Sequence, residues 1–301
     1  MGLAMAILAA IFAGIEKSLF GAYLRKYSTF SFYYKWSFAT AFLVLPLAII
    51  FELRSASNFE QLYSHYWLVL LSGCFWGFGS LCNILSYRLL DLGFKVVLAR
   101  FKIVFLIAFS MTILGEEVGR LRLLGTALIV LGVILVSWKH LSFSKTKKTK
   151  TVGFLFSILS SLFFAIAITV DKKISHHFNP LSYSFIMFFL TGVVSWIVIR
   201  SMGQKNIFLL EAKEASQNKT QSAFPFKTVL LIASFSALCF ISLITAYKFA
   251  DASLVVPILE AGNVLALLFS VFILKQRDDL WLKGIAFLLV LGGVYFLSLS
   301  Q

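Results

Sequence analysis

Four ionisable side chains lie inside long apolar runs: Glu16, Arg100, Lys102 and Glu260. A charge at the centre of a bilayer costs about 2.5–3.5 kcal/mol on insertion scales, so each needs a partner or a task. A guanidinium recognises a carboxylate or phosphate through charge-assisted, often bidentate, hydrogen bonds. A buried carboxylate can hold an ammonium group or carry a proton. Arg100 is thus a candidate for an anionic group and Glu260 for an ammonium or a proton. Glu16 is a candidate for exchanging a proton against a solute. Each has a bland alternative. Arg100 and Glu260 can staple two parts of the chain together, and Glu16 can form an ion pair with Lys17 or Lys102. Lys17 is the poorer partner, because adjacent helical residues point about 100° apart. Asn263 shares a helical face with Glu260, and Pro257 removes a backbone donor and frees a carbonyl nearby.

A second polar set is periodic. Trp76, Ser80, Asn83 and Tyr87 fall at i, i+4, i+7 and i+11, one face of a helix. That face looks either into a cavity or onto a neighbouring helix, where it would act as glue. The candidate substrate-binding residues are therefore Trp76, Ser80, Asn83, Arg100, Glu260 and Asn263, with Glu16 and Glu260 as candidates for proton coupling. Gly73 and Gly77 form a GxxxG pair suited to close helix packing. Cys74, Cys82 and Cys239 sit in apolar runs without a CxxC spacing and read as packing residues. His65, His140, His176 and His177 stand at segment edges outside any HExxH frame, and no P-loop is present. No metal, cofactor or nucleotide-driven step is expected.

The elements that must position these residues follow from composition. Of 301 residues, 60% are hydrophobic and 13% charged, with a net charge of +14. Soluble domains hold about 25% charged and 45–50% apolar residues. A soluble enzyme, a disordered chain and a disulfide scaffold are excluded. The basic residues stand between apolar runs, as juxtamembrane charges do, and do not signal nucleic acid. Ten apolar segments are legible: Leu3–Leu24, Phe30–Phe51, Trp67–Leu90, Val96–Leu114, Leu123–Trp138, Val152–Val170, Leu181–Ile199, Val229–Phe249, Leu254–Leu274 and Leu280–Ser298. In hydrocarbon every backbone polar group needs an internal partner, so these are expected as helices. The first, with Glu16 and Lys17 inside it and no basic lead, reads as a membrane helix and not a cleaved signal. The longer polar stretches are Lys139–Thr151 and Ser201–Lys227.

The chain repeats itself. At an offset of 160, Tyr87-Arg-Leu-Leu-Asp91 falls on Tyr247-Lys-Phe-Ala-Asp251, and Phe109-Ser110 falls on Phe269-Ser270. At an offset of 151, Gly2 falls on Gly153 and Ile7-Leu8 on Ile158-Leu159. Five segments per copy is an odd number, so the second copy enters the membrane from the opposite side. The expected fold is an all-α membrane protein of ten transmembrane helices arranged as a 5+5 inverted repeat. Residues 1–138 form the first repeat, 139–151 a basic linker and 152–301 the second repeat. Secondary transporters often use such repeats, with the site between them near the midplane. At the 160 offset Arg100 and Glu260 are equivalent, and would face each other across the pseudo-two-fold axis.

A 5+5 repeat of this length resembles the EamA-type transporters of the drug/metabolite transporter superfamily. Ile113-Leu-Gly-Glu-Glu117 followed by Leu124-Gly-Thr-Ala-Leu-Ile-Val-Leu-Gly132 is similar to that family's acidic turn and glycine-bearing fifth helix. The second copy departs from it, reading Ile273-Leu-Lys-Gln-Arg277 with no acidic residue where the motif wants one. Glu16 also resembles the membrane-embedded glutamate in helix 1 of the small multidrug resistance proteins.

The resemblance implies a secondary transporter of a small polar metabolite. With both Arg100 and Glu260 available, the solute would be an amino acid or another zwitterion, coupled to protons. The expected partners are that solute, protons and the lipid bilayer, in the cytoplasmic membrane of a bacterium or archaeon, as a monomer or homodimer. Three alternatives stand beside it: a flippase for lipid-linked substrates, a membrane-embedded enzyme using Glu16, Asp171 and His176, and a non-transporting subunit. Orientation has two readings. Of the 27 Lys and Arg, 18 flank loops 1–2, 3–4, 5–6, 7–8 and 9–10, six flank the other loops, and three lie within helices. The positive-inside rule then puts both termini outside, whereas the resemblance implies cytoplasmic termini.

Overall fold

The protein is described from a computed structural model covering residues 1–24, 29–51, 56–90, 95, 98–137, 147–201, 226–273 and 280–300. All regular structure among these residues is helical. The helices are α1 (Gly2–Leu24), α2 (Thr29–Phe51), α3 (Ala56–Leu89), α4 (Phe101–Phe109), α5 (Arg120–Ser137), α6 (Lys147–Ile174), α7 (Pro180–Ser201), α8 (Phe226–Phe249), α9 (Ala252–Ile273) and α10 (Leu280–Ser298). Six of them, α1, α2, α3, α6, α7 and α8, are long and apolar enough to cross a membrane. Shorter apolar helical stretches occupy Phe101–Leu114, Ala252–Val264 and Gly284–Ser298.

Three boundaries depart from the apolar pattern. Helix α3 begins at Ala56, well before Trp67, because polar residues continue it without a proline or glycine to stop it. Helix α6 begins at Lys147, so residues 147–151 of the basic linker are helical. Helix α4 is short: it runs into a π-turn over Ser110–Leu114, closed by Gly115 at φ 69°, a left-handed conformation that favours glycine.

Packing is by small residues inside and large ones outside. On α1, Ala6, Ala9, Ala10 and Ala13 are at most 3% exposed and share one face, while Ile7, Leu8 and Ile11 point outward. Lipid supplies no hydrophobic drive between helices, so close backbone approach must supply contact instead. Gly125 and Gly293 show the limit. A Cβ on either would stand 2.7 Å from the other's carbonyl oxygen, which brings α5 against α10. Gly73 and Gly77 likewise leave room for Leu190 and Val194 of α7, the close packing that their spacing suggested.

The helix pairs interlock the two halves. Helix α1 packs on α8 and α9, and α6 packs on α3 and α4. Helix α2 meets α7 and α8, α3 meets α7, and α5 meets α10. Exchanging the two halves maps this set of pairings onto itself.

Candidate functional site

Helices α1, α2, α3, α4, α6, α7, α8 and α9 surround a cavity of about 300 Å³. Trp76, Ser80, Asn83, Arg100, Glu260, Asn263 and Glu16 all line it. The structure therefore brings the sequence candidates together in one place. Tyr87, the last member of the α3 stripe, has a side chain outside the described residues. On α9 the lining begins at Leu259, beyond Pro257.

Three polar clusters organise the cavity. In the first, the Glu260 carboxylate accepts from Arg100 Nη1 and Lys102 Nζ. It also accepts from Asn263 Nδ2 at 2.6 Å. The spacing between Arg100 and Glu260 is the repeat offset itself. Because α4 belongs to one half and α9 to the other, these bonds join the halves. Lys102 also stands 5.9 Å above the Phe164 ring, a cation–π contact. Each Glu260 oxygen thus accepts from the protein, the stapling arrangement that the sequence offered as the alternative to solute binding.

In the second cluster, Ser236 of α8 donates its hydroxyl to Glu16 Oε1 at 2.6 Å and accepts from Trp36 Nε1 at 2.8 Å. The expected Glu16–Lys102 ion pair does not form, because Lys102 is bonded to Glu260 one helix away. The third cluster was not anticipated. Asp171, fully buried in α6, accepts from Ser72, from Trp76 Nε1 at 2.8 Å and from Tyr183 Oη at 2.5 Å. It sets the plane of the Trp76 indole; of the residues named for the enzyme alternative, Glu16 lines the cavity, whereas His176 lines a separate hollow with Glu116, Lys172 and Asp251.

Lys17 and Lys95 complete the lining charges. Lys95, in the link between α3 and α4, is 1% exposed. Burial, reinforced by Arg100 and Lys102, pushes its pKa down to about 7. Sequence reasoning placed Lys95 with the loop charges because it precedes an apolar run. The only signal for it was proximity to Arg100. An aromatic wall closes the rest: Trp76 lies 5.3 Å from Phe164 and 5.9 Å from Phe240, and Trp36 lies 5.7 Å from Phe188.

A fourth polar cluster lies at one end of the molecule, away from the cavity. The Glu116 carboxylate caps the start of α9, accepting from Ala252 N at 2.7 Å, Ser253 N at 3.0 Å and Ser253 Oγ at 2.6 Å. Arg122 donates to Asp251 at 2.8 Å and to Ser253 at 2.9 Å. Lys172 donates to the carbonyls of Tyr247 and Ala250 at 2.6 and 2.9 Å, closing the end of α8. The acidic turn of the first half therefore grips the α8–α9 corner of the second.

Comparison with known proteins places this arrangement. The model of the EamA-like transporter family matches residues 1–138 and 151–299. A crystal structure superposes with a TM-score of 0.72 over 98% of this chain and 99% of that chain, at 14% sequence identity. That likeness concerns the fold. No curated protein matches the chain in sequence.

Proposed function

The chain belongs to the EamA-like transporter family, and from that premise we propose that it is a secondary transporter moving a small polar metabolite by alternating access. In this reading ten helices cross the membrane as a 5+5 inverted repeat and the cavity is the solute site. The protein resides in the cytoplasmic membrane of a prokaryote. The observation that carries the proposal is the cavity itself. It is bounded by both halves, furnished with charged groups that are costly at membrane depth, and crossed by the Arg100–Glu260 bond at the repeat-equivalent positions.

The parts have separable roles. Arg100 faces the solute's anionic group, while Glu260 and Asn263 hold Arg100 and Lys102 in place. Trp76, braced by Asp171, and Phe240 flank the solute's apolar body, and Ser80 and Asn83 supply adaptable hydrogen bonds. Glu16 carries the coupling proton. Its hydrogen-bond partner is the neutral Ser236 hydroxyl, with the Lys17 charge nearby. The Glu116–Arg122 clasp holds one end shut, and alternating access requires it to open while the opposite end closes.

The test is counterflow of a labelled metabolite panel into liposomes containing the purified protein. Transport of at least one solute is expected, and it should be lost in Ser80→Phe and Asn83→Leu variants that still fold. Undiminished flux through both sealed variants overturns the site. Glu16→Gln should retain counterflow yet lose accumulation driven by a pH gradient. An unaltered response to the gradient removes Glu16 from coupling.

A further inference from the structure

One buried hydroxyl has more acceptors than protons. Ser236 of α8 is 3% exposed. Its Oγ lies 2.6 Å from Glu16 Oε1 and 2.9 Å from the Ile232 carbonyl oxygen, and it accepts from Trp36 Nε1 at 2.8 Å. A serine hydroxyl has one proton and two lone pairs. With Glu16 ionised, that proton goes to the carboxylate and Trp36 takes one lone pair. With Glu16 protonated, the acid donates to the second lone pair. The hydroxyl proton then turns to Ile232, the ordinary acceptor for a serine one turn further along a helix. Both states are satisfied, and the Trp36 bond persists in each.

The other half supplies the contrast. Trp76 stands 160 residues before Ser236, at the equivalent place in the repeat. It too donates to a carboxylate on the first helix of the opposite half, Asp171 of α6. An indole N–H can only donate, so that contact cannot reverse its direction. Ser72 and Tyr183 also donate to Asp171, and neither side chain has a second acceptor among the described residues. Asp171 is therefore held by donors that have nowhere else to turn, whereas the donor to Glu16 has an alternative.

We propose that Ser236 is the positioning residue for proton exchange at Glu16: its hydroxyl turns between Glu16 and the Ile232 carbonyl as the carboxyl loses and gains a proton. This rests on reading Glu16 as the carrier of the coupling proton, and adds the group that satisfies it in both charge states. The proton comes from water on the side to which the cavity is open and leaves to water on the other, while Ser236 keeps its own. Among the titratable and charged groups around Glu16, α1 itself carries Lys17, α8 carries Cys239 and α2 carries Tyr33. Helix α9 carries Glu260, held by Arg100 and Lys102 of the α4 region. Among the described residues, Ser236 alone is hydrogen-bonded to the Glu16 side chain.

The test is an infrared pH titration of the full-length protein in liposomes, reading the carbonyl stretch of protonated carboxyl groups. The band missing from Glu16→Gln is that of Glu16. In the parent it is expected at the lowered frequency of an acid that donates a hydrogen bond. Ser236→Ala should raise that frequency, and Ser236→Thr, which keeps a hydroxyl, should retain the parent value. Ser236→Cys serves where the alanine variant does not fold, and its weakly accepting thiol should raise the frequency to a smaller degree. A serine that only donates to the carboxylate predicts no change in the protonated band. A Glu16 band that keeps its frequency in the alanine and cysteine variants thus overturns the inference and leaves Glu16 coupling standing. The lack of any Glu16 band between about pH 4 and pH 9 defeats the coupling reading itself, and the inference with it.

Discussion

Two clusters tie the first half of the chain to α9, and they differ in kind. At mid-molecule, Arg100 and Lys102 meet Glu260, whose side chain is 4% exposed. At the end, Glu116 and Arg122 meet the helix start and Asp251, whose side chain is 42% exposed. A bond between buried charges is costly to break, because parting leaves charges without water. The end pair is mixed: Arg122 is 9% exposed, as buried as Arg100, and only its Asp251 partner is half-open to solvent, so the bond is screened from one side. The same helix is tied at two points by bonds of different burial; in the alternating-access proposal the buried one would serve as a pivot and the half-exposed one as a clasp.

The largest expected effect tests the pivot. Glu260→Gln removes the carboxylate that Arg100 and Lys102 share, and breaking a buried pair costs about 3–5 kcal/mol. Apparent melting in detergent should fall sharply, and the double variant Glu260→Gln with Lys102→Met should recover part of the loss. A single variant that melts with the parent would show that the cluster is not a pivot.

The clasp comes next. Glu116→Ala removes a carboxylate that caps α9 with two backbone hydrogen bonds and one hydroxyl bond, worth about 1–2 kcal/mol. If alternating access opens this end, flux should change more than stability. Equal, small effects on both would reduce Glu116 to an ordinary helix cap. The repeat sharpens the contrast. Glu116 corresponds at the 160 offset to Gln276, which lies outside the described residues. The second copy carries no carboxylate there, so the two ends are unequal in sequence, and Gln276→Glu should slow exchange if a matching clasp forms.

Asp251→Asn is a weaker probe of the same clasp. Arg122 also bonds Ser253, and the exposed partner is screened, so a loss under about 1 kcal/mol is expected. Added salt should mimic it in the parent protein and do little to Asp251→Asn.

These differences mark what was readable in the sequence. The Arg100–Glu260 bond was legible because an internal repeat turns a long-range contact into equal positions at a fixed offset. The helices were legible because hydrocarbon leaves the backbone few options. Asp171 was not, since its donors Ser72, Trp76 and Tyr183 arrive from α3 and α7 and only folding gathers them. The partner of Glu16 was misjudged for a related reason. Two carboxylates competed for Lys102, and charge spacing along the chain does not say which lies nearer. The acidic turn was noticed as a motif, but its task of gripping α9 across the molecule depends on the α8–α9 corner being brought to it.

The smallest expected effect has the opposite sign from the others. Lys95 is buried near the pivot yet shares the charge of Arg100 and Lys102, and its pKa is lowered to about 7 by burial and those two neighbours. A folded-state pKa below that of the unfolded chain means that folding disfavours the protonated amine. The penalty is fully present below about pH 7 and fades as pH rises from there toward the ordinary lysine range. Lys95→Met should thus raise apparent melting by a degree or two at neutral pH, more at pH 6 and less at pH 9, the gain typical of relieving a strained functional position. A variant that melts lower at every pH would place Lys95 with the pivot, as a structural cation; a variant that melts higher, most of all at pH 6, would set it apart as a charge that folding disfavours.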